Sequence, residues 1–438
     1  MLTAVLLFIS DLFVFAASIF FAVSLRTLNF DAYYCIKNLI SFAPLFPIIV
    51  LSSYVFSLYD VKFLQKPGLK FTAIYLFFIN ILIGFAFFYL FSVFLSIYTP
   101  KTNLLLSFSF YFFFVYCLRK LYVKLRVSGI AARKNILILG DGAVFDEIKN
   151  ETSKSNEYNI LSENNAYGAN IDLVIVPYES LFVSGLKFWN FLAQEFINKG
   201  VIIKTDFDFY EELFGRISEE SSKYRLWVLK TVAAREQNGV YIALKRLLDV
   251  TLSLICAVIF AVPFIAIWLI VKIFYGYDPI FKQTRVGYLG KRFNIYKFTT
   301  MRPKEKNLND IFGEYDKEKN DYFAFGAFLR RFRLDELPQI INILNGDLSF
   351  VGPRPVWDKE YEAAEKEIAD YAVRNIVRPG IAGWAQLNFR AVRNIADCVT
   401  RFSYDIYYIK NISLFLDVSI ILKTVKRIFV SDKKIDKP

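Results

Sequence analysis

At 438 residues the chain has room for two or three domains, and a content of 55% hydrophobic and 18% aromatic residues excludes an ordinary soluble protein and points to membrane segments. The net charge of +12 suits anionic lipid or phosphorylated substrates, partly reflects cytoplasmic flanks of membrane helices, and comes with no nucleic-acid motif, so nucleic acid is not an expected partner. Histidine is absent and the four cysteines have no CxxC spacing, so Ser-His and Cys-His catalysis and His-ligated zinc are excluded; a metal should be a hard cation such as Mg²⁺, and acid–base work falls to Asp, Glu, Lys or Tyr.

Residues 1–121 read as a four-helix transmembrane bundle, with spans near 2–25, 39–58, 71–96 and 104–117. The last is short and can extend to 121. No basic leader or cleavage site opens the chain, so no removable signal peptide is expected. Lys62, Lys66 and Lys70, and the group Arg119, Lys120, Lys124, Arg126, Arg133 and Lys134, mark their sides as cytoplasmic. Asp11 lies inside the first span, and a structural pairing within the bundle is expected of it.

Residues 133–235 alternate between β and α patterns: strands near 135–139, 171–176 and 201–205, with a helix near 188–198. This suggests a small Rossmann-like α/β domain. Its glycine fingerprint, Gly140-Asp141-Gly142-Ala143-Val144-Phe145, has Phe145 where the third glycine belongs, and the domain lacks a Tyr-x-x-x-Lys pair. A degenerate, structural or regulatory domain is therefore expected. Tyr241 and Lys245 have that spacing, but at the entry of the next apolar segment.

Residues 247–274 are long and apolar enough to span a bilayer. They carry Pro263 near the middle and have basic residues on both flanks. Proline bends a helix, and two positive flanks disfavour a crossing. A re-entrant hairpin fits both facts, although length alone allows a span. Beyond it, 361–371 and 412–428 have helical patterns; the second either lies in the membrane interface or packs as an ordinary amphipathic helix.

The chemistry concentrates in Leu329-Arg330-Arg331-Phe332-Arg333-Leu334-Asp335-Glu336-Leu337-Pro338-Gln339. Pro338 suits a first helical turn, which places Asp335 and Glu336 at a helix start where anions are favoured. Three arginines just upstream can neutralise phosphate. A helix cap by itself also accounts for the pair. Gly352-Pro353-Arg354-Pro355, Arg378-Pro379-Gly380-Ile381-Ala382-Gly383-Trp384, Pro279-Ile280-Phe281-Lys282-Gln283-Thr284-Arg285-Val286-Gly287 and Tyr296-Lys297-Phe298 each read as turn chemistry alone. Together they look like a phosphate-handling site beside a bilayer.

With Lys245-Arg246, Asp249 and the Asp335–Gln339 run, these motifs make residues 241–438 resemble the catalytic domain of the bacterial sugar transferase family, the large monotopic phosphoglycosyl transferases of the undecaprenyl-phosphate glucose- or galactose-phosphotransferase type. The resemblance implies a mostly helical catalytic domain with a re-entrant helix at about 247–274, broken at Pro263. It implies transfer of a sugar-1-phosphate from a UDP-sugar to undecaprenyl phosphate, with UMP released, as the first membrane step of surface polysaccharide synthesis. Asp335 would be the nucleophile, through a covalent phosphosugar intermediate, and Glu336 its partner. Mg²⁺ would be held by Asp335 and Glu336, and Gln283, Arg285, Lys297, Arg330, Arg331, Arg333, Arg354 and Arg378 would contact phosphate or substrate. The setting would be the bacterial inner membrane with the catalytic domain on its cytoplasmic face, and a second copy of the chain is a candidate partner. Two positions depart from the pattern. Thr299 stands where the family usually has Arg, which puts one phosphate contact in doubt and leaves Lys297 or Arg302 to substitute, and Asp278 stands where glycine is usual. The rival readings are a nucleotide-sugar-modifying enzyme built on the Rossmann-like unit, and a non-catalytic membrane scaffold.

Overall fold

A computed structural model describes residues 2–27, 32–55, 58–59, most of 74–85, 101–127, 133–155, 157–161, 170–180, 185–218, 239–302, 322–389 and 392–429. Lys62, Lys66, Lys70 and much of the predicted 71–96 span lie outside them. The chain divides into two units, Met1–Ala132 and Arg133–Pro438.

Among the described residues of the first unit three stretches are long and apolar enough to cross a membrane, Leu7–Thr27, Ala32–Tyr54 and Thr102–Lys124. The helix Lys101–Val127 has 27 residues, about 40 Å at 1.5 Å per residue, so the span expected to be short clears a hydrocarbon core of about 30 Å. The middle stretch is two helices, Ala32–Phe42 and Phe46–Val55, joined by a 3-10 turn at Ala43–Leu45. Pro44 and Pro47 remove two helical N–H donors there. Phe15, Ile19, Phe42, Leu45, Phe108 and Phe112 pack at its centre. Within this apolar core Asp11 and Arg119 form an ion pair, at 2.7 and 2.8 Å, with both side chains 1% exposed. The Tyr59 hydroxyl donates to Asp11 at 2.6 Å. Arg119 also donates to Leu58 O, Ser10 Oγ and Leu7 O.

The second unit begins with a parallel four-stranded sheet. Its strands are β1 (Lys134–Ile138), β2 (Tyr158–Leu161), β3 (Leu173–Val176) and β4 (Ile202–Thr205), in the order β2-β1-β3-β4. β3 is buried along its whole length, as a parallel strand covered on both faces must be. Helices Ala143–Ser153, Gly185–Glu195 and Asp206–Phe214 complete the α/β pattern. The first and last of these, and β2, are additions to the elements expected from sequence. Phe145 is 3% exposed, and its ring lies 2.5 Å from where a Cβ on Gly140 would stand. The ring therefore packs onto the first glycine of the incomplete fingerprint, the tight-turn position, and fills the space that a side chain there would need.

Two helices follow, Gly239–Ile259 and Ala261–Tyr275, bent by 62°. The break falls at Phe260, not at Pro263 as expected. Pro263 sits in the first turn of the second helix, where its missing N–H leaves the Ile259 carbonyl without its helical partner and its ring crowds that carbonyl. The bend thus appears upstream of the proline that causes it. Phe260 N still reaches Cys256 O, and Phe264 N reaches Phe260 O, each at 2.8 Å, so the interruption is local.

Beyond the bend helix predominates, with two small sheets. β5 (Ile280–Val286) pairs antiparallel with β6 (Arg292–Phe298) along seven residues and, at its far end, with β8 (Val356–Trp357). β7 (Ser349–Val351) pairs parallel with β9 (Gly380–Ala382). The motifs read as separate turns at 279–287 and 296–298 are thus two strands of one hairpin. Helices Asp358–Glu367, Ile395–Lys410 and Leu414–Phe429 surround a core that includes Tyr371, Phe402, Ile406 and Tyr408. Ile217, from the segment after Asp206–Phe214, belongs to this core; Ile217 N donates to Ser403 O, and the Trp384 indole donates to Gly215 O at 2.7 Å. Leu414–Phe429 packs through Ile420 and leaves Phe415 and Val418 exposed.

Candidate active site

Asp335 and Glu336 lie on a single 3-10 turn, Leu334–Glu336, between helices Ala324–Arg331 and Gln339–Asn345. The chain enters this turn through Arg333 in the left-handed region, φ 54°. For a residue with a side chain this costs about 1–2 kcal/mol. It brings the Arg333 guanidinium to 3.6 Å from Glu336. Pro338 caps the following helix instead of opening its first turn, and that helix has only seven residues. Its dipole is correspondingly small, and nearby cations dominate the local field.

Those cations come from several elements. Lys297, on β6, donates to Glu336 Oε1 at 3.1 Å. Asn342 sets this register: its side chain accepts from Tyr296 N and donates to Asn294 O, stitching Gln339–Asn345 to β6. Arg246 closes the other end of the same helix by donating to Ile343 O at 2.6 Å and Leu344 O at 2.8 Å. Asp249 accepts from Ser349 Oγ and Phe350 N, and Lys245 pairs with Asp417 at 2.7 Å. Tyr241 donates to the same Asp417, so the Tyr241–Lys245 pair serves packing. The helix before the 62° bend thus holds the turn that carries the carboxylates.

Burial raises the Glu336 carboxyl, but Lys297, Arg354 and Arg333 outweigh it and bring it down to about 2. Asp335 moves the opposite way. Burial and the charge on Glu336 raise it, and Lys297 and Arg330 offset only part of that. Lys297 is lowered by burial, with Glu336 opposing the shift. Two adjacent carboxyls are therefore driven apart, one fixed as an anion and the other the more basic, a pattern that separates chemical roles.

The remaining sequence candidates are placed as follows. Arg330 lies over the Tyr322 ring at 4.6 Å and within 3.7 Å of Met301 Sδ, near enough to act on Asp335 electrostatically. Arg331 lies over the Phe332 ring, and Arg378 over the Tyr288 ring. Arg285 turns inward, donating to Pro355 O at 3.2 Å and Gln283 Oε1 at 2.6 Å. Gln339 is 2% exposed and its amide nitrogen has no partner among the described residues. Gly352 and Gly380 bring the Arg354 turn against the 378–383 loop, since a Cβ on Gly380 would stand 2.1 Å from Gly352 N. Sequence reasoning missed Asn342, Arg374 and Asp405. Their signal is a polar residue inside an otherwise apolar run, as in Ile340-Ile341-Asn342-Ile343-Leu344.

Among the described residues no cluster of three or more Asp, Glu or Cys forms a ready-made metal site. The pair still fits Mg²⁺, which takes one or two carboxylates and completes its shell with water and substrate phosphate. Asp335 has no ion pair among the described residues, and the contact of Glu336 to Arg333 is its longer one.

Residues 240–431 match the family model for bacterial sugar transferases. EpsL of Bacillus subtilis, described as an uncharacterized sugar transferase, is 36% identical over 190 residues, which are 43% of this chain and 89% of EpsL. The chain belongs to the bacterial sugar transferase family. Two longer relatives match over a similar length. The UDP-N-acetylgalactosamine-undecaprenyl-phosphate N-acetylgalactosaminephosphotransferase of Aeromonas hydrophila is 35% identical over 189 residues, 43% of this chain and 44% of that protein. The UDP-glucose:undecaprenyl-phosphate glucose-1-phosphate transferase of Xanthomonas campestris is 38% identical over 197 residues, 44% of this chain and 40% of that protein. The chain thus spans less than half the length of these two relatives. The shared region of this bacterial sugar transferase contains the Asp335–Glu336 turn, Lys297, Arg354 and the bent helix pair.

Proposed function

We propose that this chain transfers a sugar-1-phosphate from a UDP-sugar to undecaprenyl phosphate at the cytoplasmic face of a bacterial inner membrane. The observation that carries the reading is the divergence of the two carboxyls at Asp335–Glu336 within a group of Lys and Arg side chains. A carboxylate nucleophile is stronger when its conjugate acid is weaker, which favours Asp335 over Glu336. Asp335 attacks the β-phosphorus of the donor, the bond to the α–β bridging oxygen breaks, and UMP leaves with that oxygen. Undecaprenyl phosphate then attacks the same phosphorus and releases Asp335 as a carboxylate. Glu336 stays anionic and holds Lys297 and Arg333 in place. Lys297, Arg354 and Arg333 offset the negative charge of the phosphoryl oxygens. Mg²⁺, where bound, would be held by Asp335 and Glu336 and would supply further neutralisation of the diphosphate.

The bent helix pair supports a re-entrant reading. Val258, Val262 and Phe274 are 79%, 76% and 77% exposed, as residues facing lipid would be. The relatives act on different sugars by name, and the donor sugar follows from pocket shape. The deciding experiment incubates purified protein with a panel of UDP-sugars and undecaprenyl phosphate. UMP release with a lipid diphosphosugar is the expected outcome. Absence of UMP with every donor, from folded protein in lipid, would refute the reading.

A further inference from the structure

Arg354 stands between two prolines, so its turn offers one backbone N–H in three residues and must be anchored through carbonyls. All three are anchored. Pro353 O accepts from Gly380 N at 2.9 Å, Arg354 O from Arg374 Nη2 at 2.9 Å, and Pro355 O from Arg285 Nη1 at 3.2 Å. Arg374 is 2% exposed and reaches Asp405 Oδ2 with Nε at 3.1 Å and Nη2 at 2.8 Å. Its Nη2 therefore bridges a buried carboxylate and the Arg354 carbonyl. Arg285 donates otherwise to Gln283 Oε1 and makes no ion pair among the described residues. Burial and the nearby Arg354 push the Arg285 guanidinium down to about 10. A cation placed beside a like charge and held by neutral acceptors serves geometry better than charge balance.

We propose that Arg374, held by Asp405, and Arg285 are positioning residues that fix the Arg354 turn, and so keep the Arg354 guanidinium in the cluster around Glu336. This rests on the transfer reaction proposed above. The same two side chains, if instead ordinary core contacts, would affect stability alone; Arg285, if a donor ligand, would affect KM independently of Arg354.

The test is a double-mutant cycle in the full-length protein in lipid nanodiscs, read by UMP release. Lysine at position 374 or 285 keeps the charge but, as a point donor, cannot reproduce the planar fork. Arg374→Lys and Arg285→Lys are each expected to lower kcat/KM by about 10-fold in the wild-type background and by less than about 2-fold in an Arg354→Met background, because residues acting through one another are not additive. Losses that multiply in the Arg354→Met background would overturn the proposal, as would a rise in KM alone that persists there. A second readout needs no activity. Hydrogen–deuterium exchange over residues 352–357, where Arg354 supplies the one N–H of the Pro353–Pro355 turn, should be faster in Arg374→Lys than in wild type, because the Arg354 carbonyl loses its anchor. Unchanged exchange of that turn, in a variant whose melting temperature alone falls, would also overturn it. If the wild type releases no UMP, the transfer reading has failed and the exchange arm still decides whether Arg374 positions the Arg354 turn.

Discussion

Each unit of this protein buries a carboxylate against arginine, and the two arrangements differ in what they leave over. In the N-terminal unit Asp11 meets a single cation, Arg119, and accepts a further bond from Tyr59. Every nitrogen of that guanidinium is also engaged, by Leu58 O, Ser10 Oγ and Leu7 O besides Asp11. The cluster is electrically closed. Around Glu336 three cations converge on one carboxylate, while the Gln339 Nε2, three residues on in the chain, has no partner among the described residues. That cluster carries surplus positive charge and, beside it in the chain, an unused donor. In an apolar bundle an unpaired charge is too costly to keep, so closure serves folding. A surplus of this kind suits the proposed diphosphate donor, which would neutralise it.

The comparison can be broken in several places. The largest effect is expected at Asp335→Asn, which should lower UMP release by at least about 10⁴-fold and abolish labelling of the protein by a radioactive donor, with an unchanged melting temperature. Substantial activity in that variant removes the nucleophile assignment. Next, Asp11→Asn should destabilise the N-terminal unit by about 3–5 kcal/mol in detergent, since it strands a buried guanidinium, while turnover per folded molecule stays within about 2-fold. A closed cluster that instead controls turnover would erase the distinction drawn here. Pairing Asp11→Asn with Arg119→Met should recover most of that loss, to within about 1–2 kcal/mol of wild type, measured in the same melts.

A smaller effect concerns the Rossmann-like part. Glu211 is buried against Lys410 at 2.9 Å, with Asp208 and Tyr407 also facing it, and burial pushes its carboxyl up to about 7. A raised folded-state pKa gives stability that is present below the unfolded value, about 4.3, and is lost as pH rises through 7. The melting temperature of the second unit should therefore fall by a few degrees between pH 5 and pH 8, and Glu211→Gln should flatten that slope. An identical slope in the variant would assign it to other groups.

Hydrophobic runs and periodicity made the apolar helices and the alternating strands of 133–205 legible, because length and pattern are properties of the chain alone. The position of the bend was misread by three residues. Proline acts on the carbonyl four residues before it, so the distortion at Phe260 does not coincide with Pro263. The β5–β6 hairpin was missed because β5 keeps its apolar residues at its two ends, around Lys, Gln, Thr and Arg, and Tyr296-Lys297 interrupts the alternation of β6, so no regular pattern stands out. The Asp335–Glu336 turn and its neighbouring basic motifs were visible as residues. Their relation was not: Arg331 and Arg378 lie on aromatic rings, while Lys297, on a strand 38 residues before Asp335 in the numbering, reaches Glu336.

The sequence by itself determined the apolar, membrane-type character of the chain and the lack of histidine chemistry, since composition suffices for both, and it marked Asp335 and Glu336 as candidates without separating them from a helix cap. Only the tertiary structure decided which of the two carboxyls is held as an anion. That choice depends on burial and on cations brought together from β6, the Arg333 turn and the Arg354 loop, and these distances exist only once the chain has folded.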